Sequence, residues 1–167
     1  MKIAVVNDSG VRVNRRKVQG IVRFFMEKAA RLVSPNSVAR HCVARRADLA
    51  WGDITLVLSN DDGIHAVNRA FLNHDYPTDV ISFSYSSIPG ESGAVAGEIV
   101  VNVELARRLG KRFGGETREL ALYMAHGCDH LAGADDATVP QRRCMRSREL
   151  RWVKEAEEQG LLCRMLG

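Results

Sequence analysis

Aromatic residues make up only 6% of this 167-residue chain, and few of them accompany its clusters of arginine and lysine. A ready-made platform for stacking nucleobases is therefore not evident. Long apolar runs are also missing. None approaches the eighteen or so residues that a membrane span requires, and the opening Met-Lys-Ile-Ala-Val-Val-Asn-Asp meets an acidic residue too soon for a signal peptide. The reading is a cytoplasmic protein with no membrane partner. Cysteine is sparse: Cys42, Cys128, Cys144 and Cys163 show no C-x-x-C spacing, the pattern of reduced thiols in a cytosolic protein. Repeats, low-complexity tracts and interdomain linkers are absent. Charge imbalance is small, with a net charge of +4 that suits a polyanionic partner without identifying one. Basic residues concentrate at Arg12 to Lys17, Arg40 to Arg46, Arg107 to Arg118 and Arg142 to Lys154.

What is present suffices for one domain. A hydrophobic content of 46% over residues 1–167 can bury a core without disulfides. Lys2 to Val6 reads as a strand. Val13, Val18, Ile21, Val22, Phe25, Ala29 and Leu32 mark one face of a helix that stops before Ser34-Pro35. Ser37 to Ala44 is a weaker strand candidate, interrupted by Arg45-Arg46. Ile54 to Leu58 is a clearer strand, and Ser59-Asn60-Asp61-Asp62 offers N-caps for a helix through Ile64, Val67, Phe71 and Leu72. Val80 to Tyr85 and Gly97 to Val101 read as strands joined closely enough to pair antiparallel. Asn102 can cap a helix through Leu109, ended by Gly114 and Gly115. Thr117 is the candidate N-cap of the next helix, and a last helix runs from about Pro140 to about Gln159 before a tail that is loose or forms a short cap. This order predicts an α/β (α+β) fold with a mixed sheet packed against helices.

The chemistry concentrates in His126-Gly-Cys-Asp-His130-Leu-Ala-Gly133-Ala-Asp-Asp136. Two histidines four apart on a helix lie about 40° apart around its axis and about 6 Å along it, so both rings can reach one ion. Gly133 then ends the helix, letting the chain fold back and bring Asp135 or Asp136 to the same ion. Two imidazoles and one carboxylate leave a fourth tetrahedral position open, as in catalytic zinc sites. Cys128 points away from the histidine face and is expected behind the site. Asp129 also projects away and reads as a surface or supporting residue. Helical metalloproteases place a glutamate directly after the first histidine, and here that position is Gly127, so proteolysis by that route lacks its base. His41, His65 and His74 each stand alone and read as ordinary histidines.

Two motifs, Tyr76-Pro77-Thr78-Asp79-Val80-Ile81-Ser82-Phe83 with Gly97-Glu98-Ile99, and the stretch from His126 to Asp136, resemble those of the YbeY endoribonucleases, the ribosomal-RNA maturation factors. The resemblance runs from about Ile54 to Glu149. The usual second motif of that family, His-Gly-x-x-His-Leu-x-Gly-x-Asp-His, supplies three zinc-binding histidines. The last of them is Asp136 here, so the resemblance implies His126, His130 and Asp136 as ligands of one Zn²⁺ per chain. It further implies a small domain with a metal-binding cleft between sheet and helices. The implied activity is cleavage of single-stranded RNA at the small-subunit 3′ end and in ribosome quality control, with ribosomal RNA, ribosomes or ribosomal proteins as partners. Many members carry a phosphate-binding arginine where this chain has Leu72. Asp79 is the candidate for orienting a ligand histidine through its other ring nitrogen, or else for capping the strand that follows it. No catalytic group beyond activated water is identified. The alternative function is a non-catalytic RNA- or ribosome-binding accessory protein with a structural metal.

Overall fold

The structure, a computed structural model, describes residues 1–32, 51–85 and 95–167. Strand β1 (Ile3–Asn7) leads to helix α1 (Arg15–Leu32), then β2 (Trp51–Ser59), α2 (Asp61–Leu72), β3 (Val80–Tyr85), β4 (Val95–Asn102), α3 (Val103–Gly110), α4 (Glu116–Leu131) and α5 (Val139–Glu158). The sheet order is β1-β2-β4-β3. β1, β2 and β4 run parallel, and β3 closes the edge antiparallel to β4, with Val80 opposite Val101 and Tyr85 opposite Ala96. The mixed sheet and the antiparallel pair match the expectation from sequence. The strand candidate over 37–44, the Arg45-Arg46 interruption and His41 lie outside the described residues.

Alternation along the strands divides the core into two layers. Ile99 and Val101 of β4 join the large core with Ile54, Leu56 and Leu58 of β2, while Val100 turns to the other face. There it meets Ile81 and Ile64 in a small cluster under α2. On the main face, α1 buries Val18, Ile21, Val22, Phe25, Met26 and Ala29, the three-and-four spacing of a helix lying on a core. Each such large side chain contributes about 1.5–3 kcal/mol relative to exposure. Val13 falls before the helix, in a bridge with Leu166, and Asn14 Oδ1 accepts from Lys17 N at 3.2 Å. The C-terminal tail is packed as a cap, with Leu162 and Met165 buried.

Two glycines let α4 approach the sheet closely. A Cβ on Gly97 would lie 2.9 Å from Leu131 Cδ1, and one on Gly127 would lie 2.6 Å from Ile99 Cγ2. Ser82 Oγ donates to Gly127 O at 3.1 Å and ties the helix to β3. α4 is thus seated across β3 and β4 with most of its length buried.

Helix ends follow their caps. Asn60 accepts from Gly63 N at the start of α2, and Asn102 accepts from Leu105 N at the start of α3. Thr117 does not cap α4. Gly115, at φ 115°, holds that position with no side-chain bond, so the helix starts at Glu116. Asp61 links α2 to α3, accepting from Asn102 Nδ2 at 2.7 Å and Arg108 Nη1 at 2.8 Å. The Arg108 hydrogen bond outweighs burial and holds the Asp61 carboxyl below its ordinary pKa. A depressed folded pKa stabilises the fold above the unfolded value of about 3.9, and this contribution is lost as pH falls through the folded pKa. Asp61→Asn is therefore expected to cost up to about 1 kcal/mol near neutrality, an exposed-pair magnitude. The gap in urea midpoints between the two proteins should shrink below pH 4 or so; a gap independent of pH would contradict this.

Candidate metal centre

Helix α4 presents His126 to a cavity of about 270 Å³, whose wall also includes Asp79, Asp136 and Glu149, and carries His130 one turn further on. The helix stops as its glycine predicts. Gly133 adopts φ +93°, and Ala134 N donates to Asp129 O at 3.1 Å, closing the turn that carries the chain back. Asp136 Oδ1 arrives 4.0 Å from His130 Nε2. Asp135 turns elsewhere: its carboxylate accepts from Ala137 N at 3.2 Å. His126, His130 and Asp136 each offer a ligand atom, and these atoms lie within 4.8 Å of one another.

The ring nitrogens show how the site is set. His126 Nδ1 lies 2.7 Å from Glu149 Oε1, and His130 Nδ1 lies 3.1 Å from Ala134 O. Both partners accept, so each ring holds its proton on Nδ1. The two Nε2 atoms then face each other as lone pairs at 3.1 Å. Between neutral rings neither has a proton to give the other, and a cation between them resolves the repulsion. Ligands at zinc distances of about 2.0–2.2 Å around a tetrahedron lie roughly 3.3 Å apart, a span that the pair already has. The donor set therefore fits a metal ion.

Electrostatics push the two rings in opposite directions. Burial lowers the pKa of His126, but the Glu149 hydrogen bond and charge, with those of Asp79 and Asp136, raise it above the ordinary value. Burial and the neighbouring His126 lower that of His130.

Glu149, only 1% exposed, is the functional residue that the sequence reading missed. A signal existed: on α5 it shares the buried stripe Met145, Trp152, Val153 and Ala156, where an unpaired acid would be costly. The orienting position proposed for Asp79 is thus held by Glu149. Asp79 Oδ1 instead accepts from Val80 N at 2.9 Å and Thr78 Oγ1 at 3.0 Å, the strand-capping role, although the residue still lines the cavity.

Asp129 is not at the surface. It is fully buried and accepts from Arg148 Nη2 at 2.6 Å and Nε at 2.9 Å, fastening α5 to α4 next to Glu149. Burial raises its pKa to about 6 against the opposing pull of the guanidinium. Its Oδ1 has no hydrogen-bond partner among the described residues.

Cys128 is buried behind the site, and burial raises its thiol pKa. Cys128 and Cys163 are free thiols, and Cys42 lies outside the described residues. His65 pairs with Asp75 at 2.8 Å, His74 stacks on Tyr76 at 5.3 Å, and Leu72 is 45% exposed at the end of α2.

Known proteins resemble this chain over much of its length. A family model described as endoribonuclease YbeY matches residues 9–157. Proteins named endoribonuclease YbeY from Elusimicrobium minutum and Rhodopirellula baltica are 42% and 39% identical, over 56% and 62% of this chain and 67% and 53% of their own lengths. One from Anaeromyxobacter dehalogenans is 33% identical over 81% of this chain and 67% of its own. A Thermotoga maritima protein solved in solution shares the fold at TM-score 0.55 and 19% identity, over 94% of this chain and 90% of that one.

Proposed function

The chain belongs to the YbeY endoribonuclease family, and from that premise we propose that it is a zinc-dependent endoribonuclease specific for single strands. On this reading residues 1–167 form one metal-dependent hydrolase domain acting in the cytoplasm on ribosomal RNA, at the small-subunit 3′ end and in ribosome quality control. Ribosomes or ribosomal proteins are its partners. No helix among the described residues is long and apolar enough to cross a membrane. The ligands are His126, His130 and Asp136. The observation that carries this is the pair of Nε2 atoms held 3.1 Å apart with both Nδ1 atoms engaged, beside a carboxylate brought back by the Gly133 turn.

Zinc, when bound, supplies Lewis acidity at a phosphoryl oxygen and activates water near neutral pH. The residues of the chain do the rest. Glu149 accepts the Nδ1 proton of His126 and Ala134 O that of His130, which fixes both tautomers and keeps the Nε2 lone pairs directed inward. Arg142 Nη1 donates to Asp136 O at 2.9 Å and Ala137 O at 3.1 Å, holding the loop that carries the third ligand. The Asp129–Arg148 pair keeps α5 registered on α4, so that Glu149 meets His126.

Glu149→Gln keeps shape and removes the charge that orients His126. Losing such a partner is expected to lower metal affinity by about 10–100-fold. Competition with a chromophoric chelator measures this directly, and an unchanged affinity would remove Glu149 from the account. The function is tested by offering purified protein single-stranded and duplex RNA of one sequence. Cleavage of the single strand is expected, and cutting only the duplex, or neither, would contradict the reading.

A further inference from the structure

Leu72, where the family resemblance leads one to expect a cation, is an exposed aliphatic at the end of α2 and does not line the cavity beside His126. The wall built by α5 offers two cations instead. Arg142 and Arg146, one turn apart, line the same cavity as His126 and Asp136, and both are exposed. Arg142 spends one nitrogen on the backbone oxygens of Asp136 and Ala137. Arg146 has no carboxylate within ion-pair distance among the described residues.

The position of Arg142 is unfavourable for the fold alone. The first turn of α5 contains no acid and ends at Arg142, with Arg146 one turn beyond it. A helix N-terminus already bears the equivalent of about half a positive charge, so cations there cost stability. Charge counting at the cavity points the same way. Three carboxylates, Asp79, Asp136 and Glu149, face two guanidiniums. A divalent ion on the histidines would turn that balance of −1 into +1, leaving the wall ready for an anion. Guanidinium presents a planar fork that suits phosphate oxygens.

We propose that Arg146, backed by Arg142, is the phosphate-binding group of this cavity and holds a phosphodiester of single-stranded RNA beside His126, His130 and Asp136. The proposal rests on the endoribonuclease reading above. Through its bonds to Asp136 O, Arg142 couples that phosphate to the ligand loop, while Arg146 supplies the free charge.

The test is the salt dependence of binding to a fluorescent single-stranded RNA, read by anisotropy immediately after mixing with metal-loaded protein. Natural protein, Arg146→Ala, Arg146→Lys and the α5 control Arg151→Ala are compared. Removing one phosphate contact should lower the slope of log affinity against log salt by about 0.7. Affinity should fall about tenfold for Arg146→Ala, with Arg146→Lys intermediate and Arg151→Ala unchanged. If natural protein binds RNA and Arg146→Ala matches it in affinity and slope, this inference alone is overturned. If natural protein binds no RNA, the endoribonuclease reading fails and this inference with it.

Discussion

His126→Ala is expected to leave the protein without tightly held metal and to reduce RNA cleavage by at least the 10²–10³ or so that removing a single preorganised electrostatic group costs. His126 provides one of two facing Nε2 atoms, and His130 Nε2 with Asp136 Oδ1 at 4.0 Å cannot enclose an ion alone. A second consequence follows from Glu149. At 1% exposure it would lose the donor 2.7 Å away, which costs about 1–3 kcal/mol. The variant should therefore melt lower as well as cut less. His130→Ala separates the two effects, because its Nδ1 partner is the backbone oxygen of Ala134 and no buried carboxylate is stranded. It should lose metal and cleavage with a smaller fall in melting temperature. Retention of stoichiometric metal by both variants, measured by plasma emission, would exclude the proposed ligand set.

Gly127→Ala should destabilise the protein even though alanine is the better helix former by about 1 kcal/mol. The added Cβ would meet Ile99 Cγ2 at 2.6 Å, Val80 Cγ2 at 3.0 Å and Ser82 Oγ at 3.1 Å. The first two are branched methyls rooted directly on strand Cβ atoms, so relief requires α4 to lift from β3 and β4. Overpacking of that kind, with the Ser82 to Gly127 O bond weakened, costs about 3 kcal/mol and exceeds the propensity gain. A net loss of about 2 kcal/mol lowers the melting temperature of a domain this size by roughly 4–8 °C. A rise in melting temperature would show that propensity wins and that the close approach is unimportant. The same contact explains the missing metalloprotease glutamate: the position after the first histidine faces the sheet, and no larger side chain fits there.

Where neighbours in sequence determine the geometry, the chain was readable. The buried stripe of α1, the caps at Asn60 and Asn102, and the Gly133 turn all depend on spacing of four residues or fewer. Thr117 misled because Gly115 already starts α4 and leaves no role for a side-chain cap. Strand order was not legible, since nothing local says that β4 enters between β2 and β3. The same limit hid the supports of the site. Glu149 and Arg148 reach His126 and Asp129 across 23 and 19 positions, and only the packing of α5 on α4 pairs them. Asp129 read as outward-facing from its helical angle alone, whereas that angle points it into the α4–α5 contact, where it is fully buried.

That His126, His130 and Asp136 hold the ion on which RNA cleavage depends is tested most directly by metal analysis and cleavage assay on one preparation, as purified, after exhaustive chelation, and after zinc is restored. One zinc per chain, loss of single-strand cleavage with the metal and its return in proportion to reloading is the expected result. Full cleavage by metal-free protein would contradict it.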